Sequence, residues 1–298
     1  MTRSISFFDN ARGNFFGGLT AGIVALPLAL AFGEQTEMGA IAGLYGAIAL
    51  AIVAAIFGGT RTQISGPTAP MTVVSAVVIA DAIAYMGGFE QAIPLIIATC
   101  LLAGAIHVGM GLLGIGKYVR YMPYPVVSGF MSGIGVIIVI TQIFPFFGVA
   151  APAGGPMGTI RSVHQIPEIL NAASVGVALI TIAIIYALPR VTKVVPSSLV
   201  ALVAVSVGAF FLLDPDSILR INSRGPIPTG LPELQLGFVA VFSNFQHMIV
   251  VFEYAFTLAA LGAIDSLLTS LVADNMTKTR HDSNRELVGQ GLGNMASA

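Results

Sequence analysis

GGTRTQISGPTAP, residues 58–70, breaks a long apolar stretch with Gly, Thr, Arg and two prolines, and the apolar pattern resumes at Met71. Pro67 and Pro70 each remove a backbone donor, and a proline disfavours helix at the residue before it. Residues 63–67 are therefore predicted to be extended, with a helix starting near Thr68. Five extended residues at about 3.3 Å each reach the middle of a bilayer core of about 30 Å. A helix rising about 1.5 Å per residue then reaches the outer face and ends near Val78, with Asp81 at the outer interface and returned to water. The competing reading, a plain helix over 67–86, buries Asp81 without a partner, which is costly, so the broken helix is preferred. Such a break belongs where protein buries the backbone or where it lines a cavity. The N-terminus of a half-helix carries about +0.5 charge and open N–H groups, so it attracts an anion. Discontinuous helices of this kind mark the substrate sites of secondary transporters.

The rest of the chain fits that solvent. Of 298 residues 56% are hydrophobic and only 9% charged, with a mean hydropathy of +0.90, too little polar surface to wrap a soluble core. The net charge of −1 and the absence of any run of like charges give no nucleic-acid-binding arm. Cys100 is the sole cysteine, so no disulfide framework exists and a packed thiol is expected. Windows near the length of a bilayer crossing predict spans at 15–33, 39–58, 68–86, 92–115, 124–148, 172–189, 195–213 and 246–272, with a ninth beginning near 285. Ala29-Leu30-Ala31 imitates a signal-peptidase site, but Pro27, the thin basic region before it and the seven later spans favour a retained helix.

With a cytoplasmic N-terminus, ten of the thirteen Lys and Arg residues fall on the cytoplasmic side, leaving Arg161, Arg220 and Arg224 outside. The two longest connections, 149–171 and 214–245, then lie outside; they are rich in Pro and Gly, as in GPIPTGLPEL at 225–234, and read as structured caps. Small residues in GGLTAG (17–22), GAIAGLYGA (39–47) and SGFMSGIG (128–135) predict close helix approach and a tightly packed bundle.

The second informative stretch is LAALGAIDSLLTSLVADN, residues 258–275. Asp265 sits well inside the eighth span, and Thr269, four residues on, presents its hydroxyl on the same face. No Lys or Arg lies inside a predicted span, so within this chain only a proton, a metal cation or a helix dipole can neutralise Asp265. A sodium or proton site is favoured over a structural carboxyl, because an anion's charge would otherwise move uphill against the membrane potential. Glu253, near the outer end of that span, reads as an interfacial group. His107 and His247 begin no HExxH pattern and stand beside no Cys or carboxylate at ligand spacing, so both read as packed hydrogen-bonding residues.

Four stretches carry a resemblance: 17–33, 43–74, PIPTGLPEL at 226–234, and AIDSLLTSLVADNMTKTRHDSNRELVGQGLGN at 263–294. They resemble the sulfate permease (SulP) anion-transporter family, and in detail its cyanobacterial, sodium-coupled bicarbonate branch. The resemblance implies an all-α membrane protein of two inverted seven-helix repeats, divided into core and gate and working by an elevator-like movement. This chain would hold the first repeat, with its broken third helix, and the start of the second. The anion would sit between the N-termini of the third and tenth helices, with Thr68 and the Ala69 backbone facing it. Asp265 and Thr269 would line a sodium site in the eighth helix. The resemblance further implies bicarbonate uptake with sodium as coupling ion and no other cofactor, in the bacterial plasma membrane, by a homodimer. Leu28, where many sulfate-transporting members have a polar residue, and Asp265, where many have Glu, favour bicarbonate over sulfate.

Residues 1–298 are accordingly expected to be one transmembrane domain, short of the later helices and of the cytoplasmic STAS domain of the family. Alternatives are a sulfate/proton symporter of the same family and a passive anion channel, which would use the helix dipole without needing Asp265. An intramembrane enzyme would need a nucleophile and a base; no HExxH and no GxSxG is present, so no catalytic residues are assigned.

Overall fold

The computed structural model describes residues 11–298 apart from 37, 122, 151, 153–154, 193–196, 215–216 and 219–235. Helix α1 spans Ala11–Glu34, α2 Gly39–Phe57, α3 Ala69–Met86 and α4 Phe89–Leu112. A 3-10 stretch over Ile115–Tyr121 leads to α5, Tyr124–Thr141, and the single turn α6, Ile143–Phe146. Then come α7 (Gly155–Ser162), α8 (Ile166–Ile169), α9 (Ala172–Val191), α10 (Ser197–Leu212), α11 (Phe245–Thr277) and α12 (Ser283–Ser297). No strand occurs among the described residues. Among the described residues six helices, α1 to α4, α9 and α11, are long and apolar enough to cross a membrane; α5 and α10 hold shorter apolar stretches. Each of the eight predicted windows falls on a helix, and the polar helix α12 starts at Ser283, close to the predicted start of a ninth window.

Local chemistry sets the boundaries. Gly87, at φ 80°, takes the left-handed conformation that closes α3. Asn171, Asn244 and Asp282 cap α9, α11 and α12 by accepting N–H bonds from Ser174, from Gln246, and from Asn284 and Arg285 respectively. Between α11 and α12, Lys278 turns at φ 57°, and Asp274 gathers the His281 backbone at 3.0 Å and its Nδ1 at 2.8 Å. The helix α11, with 33 residues, spans about 50 Å at about 1.5 Å per residue and projects beyond the predicted 246–272.

Two groups of helices emerge. In the first, α12 lies against α2 and α4, while α11 packs on α4 and α3, and α1 on α2. Its interior joins Ile79, Leu95, Ile96 and Val251, then Val78, Ala103 and Leu258, then Leu267, Leu268 and Leu287. Cys100 packs partly buried against the first of these clusters, as a free thiol. The second group pairs α9 with α10 and α5 with α7, and touches the first sparingly. No residue of α9 is buried; Leu179, Ile180, Ile182 and Tyr186 face outward, as they must where the surroundings are hydrocarbon.

Two expectations change. The helix α3 does not stop near Val78 but continues to Met86; Asp81 is nevertheless exposed. Close glycine approach holds for Gly43, whose Cα lies against Gly33 and α1, but not for Gly17, Gly18, Gly22, Gly129, Gly133 or Gly135. Those glycines sit on outward faces of α1 and α5, with nothing against them among the described residues. The tight contacts belong instead to α12: a Cβ on Gly291 would lie 2.5 Å from the Gly104 oxygen, and one on Gly289 2.5 Å from Gly58. Within α1, Ala29 is fully buried, so the segment that imitates a cleavage site is packed helix. Of the two long connections, 149–171 carries α7, a 3-10 turn and α8, as a structured cap should; GPIPTGLPEL lies outside the described residues.

Candidate functional site

Residues 63–68 are non-helical and α3 begins at Ala69, as the two prolines require. Thr68 is extended (φ −120°, ψ 150°) and its side chain does not cap its own helix. Instead Thr68 Oγ1 donates to Asp265 Oδ2 at 2.6 Å. The Thr68 carbonyl accepts the Thr72 N–H and the Thr72 hydroxyl, both at 2.8 Å. Pro70 has no N–H, and the N–H groups of Ala69 and Met71 carry no hydrogen bond among the described residues. The first turn of α3 therefore keeps open donors at a buried helix N-terminus, the arrangement that holds an anion.

Asp265 is 5% exposed. No Lys or Arg pairs with it among the described residues; its bonded oxygen takes only the Thr68 hydroxyl, and Oδ1 takes no hydrogen bond. Thr269, one turn on and half-buried, has no hydrogen-bond partner for its hydroxyl among the described residues. A carboxylate oxygen and a hydroxyl oxygen free on one helix face fit a hard monovalent cation, which takes oxygen ligands. No group of three His, Cys, Asp or Glu side chains capable of holding a metal occurs among the described residues. Three predicted site residues are thus joined directly, since Ala69 follows Thr68 and Thr68 bonds Asp265; Thr269 joins them only through α11.

The remaining groups take supporting places. Glu253 is exposed on α11. His247 stacks edge-on against Tyr85, with ring centroids 5.7 Å apart. His107 is 2% exposed, and its Nδ1 lies 3.2 Å from Asn294 Nδ2. Its Nε2 faces α11 at Ala259 and Gly262 without a hydrogen bond of good geometry.

Sequence reasoning missed the residues that hold the 58–68 lead-in. Glu286, buried in α12, accepts the N–H groups of Gly59 and Thr60, both at 2.9 Å on Oε2. Its Oε1 accepts from Gln290 Nε2 at 3.0 Å, and that amide also reaches the Ser65 hydroxyl. From α11, the Ser270 hydroxyl lies 2.7 Å from Gln63 Oε1 and 2.9 Å from Thr60 Oγ1. The signal was available as Asp282, Glu286 and Gln290 at four-residue spacing, which puts them on one helix face.

Comparison with known proteins agrees with this architecture. The chain is 47% identical to the bicarbonate transporter BicA of Picosynechococcus sp. over 97% of its own length and 50% of the relative's. It is 35% identical to the putative sulfate transporter YvdB of Bacillus subtilis, over 95% of this chain and 52% of that protein. The chain thus spans about half the length of the curated relatives it matches. Among solved structures, the transmembrane domain of a cyanobacterial bicarbonate transporter BicA superposes with a TM-score of 0.81 at 46% identity, covering 97% of this chain and 72% of that one. Residues 12–298 match the sulfate permease family, and this multi-pass integral membrane chain belongs to it.

Proposed function

We propose that this chain carries the half-helix anion site and the coupling-ion site of a sodium-driven bicarbonate importer. The observation that carries the reading is the Thr68–Asp265 hydrogen bond, which joins a buried helix N-terminus to a buried acid with no cationic partner among the described residues. An anion takes the open N–H groups of Ala69 and Met71 beside Thr68. Sodium takes Asp265 and Thr269 and offsets the charge that the anion brings into low dielectric. The identity to BicA proteins supports bicarbonate as the anion.

Movement is elevator-like. The helices α1 to α4, α11 and α12 travel as one body, because α12 is wedged between α2 and α4, whereas their contacts with α5 to α10 are sparse. The N-terminus lies in the cytoplasm, a placement supported by the distribution of its basic residues, and similarity to bacterial transporters supports a bacterial plasma membrane. The protein is a carrier and performs no catalysis.

The test is uptake of labelled bicarbonate and of labelled sulfate by a polypeptide of the relatives' length that contains this chain, with and without sodium. Sodium-dependent bicarbonate uptake is expected. Sulfate uptake driven by a pH gradient favours the alternative that similarity to YvdB keeps open. Flux that follows voltage alone, without sodium, indicates a channel.

A further inference from the structure

The backbone over 59–68 has no helix ladder, so each of its N–H groups needs another acceptor or water. One face of α12 supplies acceptors and anchors. Asp282 donates its N–H to the Gly59 carbonyl at 3.2 Å. One turn on, Glu286 takes the Gly59 and Thr60 N–H groups. Another turn on, Gln290 joins Glu286 to Ser65. Arg285 does not pair with Glu286; its Nε donates to the Phe57 carbonyl at 3.2 Å. Glu286 is 2% exposed and meets no cationic side chain among the described residues, so amide donors alone offset its charge. Burying a carboxylate on amide donors is a demanding arrangement, and an apolar side chain there would leave two backbone donors bare.

We propose that Glu286, with Gln290, is a positioning residue for ion binding: it fixes the lead-in so that Thr68 meets Asp265 and the α3 N-terminus stays open. The lead-in is held at 59, 60 and 65 by α12, and at 60 and 63 by Ser270 of α11, leaving two residues, Gly66 and Pro67, between the last anchor and Thr68. A loosened lead-in swings Thr68 away from Asp265 and misplaces the Ala69 N–H. Anion and cation sites weaken together, because both depend on the same bond. The proposal rests on the reading of Thr68 and Asp265 given above.

The test uses a polypeptide of the relatives' length in liposomes. Glu286→Ala is expected to raise the half-saturating sodium and bicarbonate concentrations at least about tenfold, a loss comparable to removing a charge-assisted hydrogen bond, while the maximal rate stays within about threefold. Amide hydrogen exchange over 59–68 should speed up by a similar factor. Glu286→Gln should keep most affinity, because the introduced amide oxygen still accepts both backbone N–H groups and the Gln290 amide can turn to meet it. A lower maximal rate with unchanged half-saturation, or unchanged exchange, overturns the proposal and leaves Glu286 a structural carboxyl. If Glu286→Ala does not assemble, Gln290→Ala decides: it removes the bonds to Ser65 and to Glu286 Oε1 while leaving those from Gly59 and Thr60 to Glu286, and unchanged half-saturation there also overturns the proposal. Wild-type uptake that ignores sodium would sink the functional reading only, since exchange over 59–68 in the variants still reports on Glu286.

Discussion

Thr68 and Asp265, 197 positions apart in sequence, meet at 2.6 Å, so the start of one helix and the middle of another form a single polar unit. The bond satisfies a buried carboxylate oxygen and fixes the residue that begins α3.

Thr68→Val should therefore affect both ions. It keeps the branched shape and removes the donor, and a hydrogen bond to a charged group contributes about 1.5–3 kcal/mol. Half-saturating sodium and bicarbonate should rise about tenfold or more in uptake assays, and Thr68→Ser should stay near wild type. Equal loss in the Val and Ser variants would show that the methyl group matters and the hydroxyl does not.

Cysteine scanning tests the break itself. Residues 61, 62 and 64 are exposed in the lead-in, whereas Thr72, Val78, Ile79 and Ala82 are buried within α3. Single cysteines at the first set should react with a water-soluble maleimide and those at the second should not. Uniform protection from 61 to 82 would mean that a plain transmembrane helix runs through the segment.

How much of this was legible in the sequence follows from the range of the interactions. The break at Pro67 and Pro70, the start of α3 and the spans are local matters of missing donors and apolar length, and they can be read residue by residue. Asp265 was legible because a lone acid in an apolar span has no cheap partner. The 282–286–290 ladder was not, because its meaning depends on which backbone lies opposite α12, a tertiary contact across more than 200 positions. The glycine stretches misled for the same reason: GGLTAG and GQGLGN look alike in composition, but among the described residues the glycines of the first meet nothing and those of the second lie against other helices.

Glycine substitution separates those two cases. A Cβ at Gly291 meets the Gly104 oxygen at 2.5 Å and Val108 at 2.8 Å, so Gly291→Ala should push α12 off α4 and cost about 1–3 kcal/mol. Gly129→Ala, with nothing within 4 Å, should be neutral or gain up to about 1 kcal/mol in helix propensity. Thermal unfolding in detergent should show a clear fall for the first and none for the second.

The substitution Asp265→Asn separates the possible roles of the acid. It keeps the shape of the side chain and can still accept from Thr68, and insertion should not suffer, since an Asp at the centre of a span costs about 2.5–3.5 kcal/mol on the insertion scale. What it removes is charge. If Asp265 neutralises sodium, uptake by a polypeptide of the relatives' length should fall at every sodium concentration. Thr269→Ala, which deletes one uncharged oxygen, should then mainly raise the sodium needed for half-maximal uptake. If Asp265 carries a proton, wild-type uptake should follow external pH with little sodium dependence, and Thr269→Ala should change little. Near-normal, sodium-dependent uptake by the Asn variant would reduce Asp265 to an acceptor for Thr68, and the coupling cation would then have to bind elsewhere.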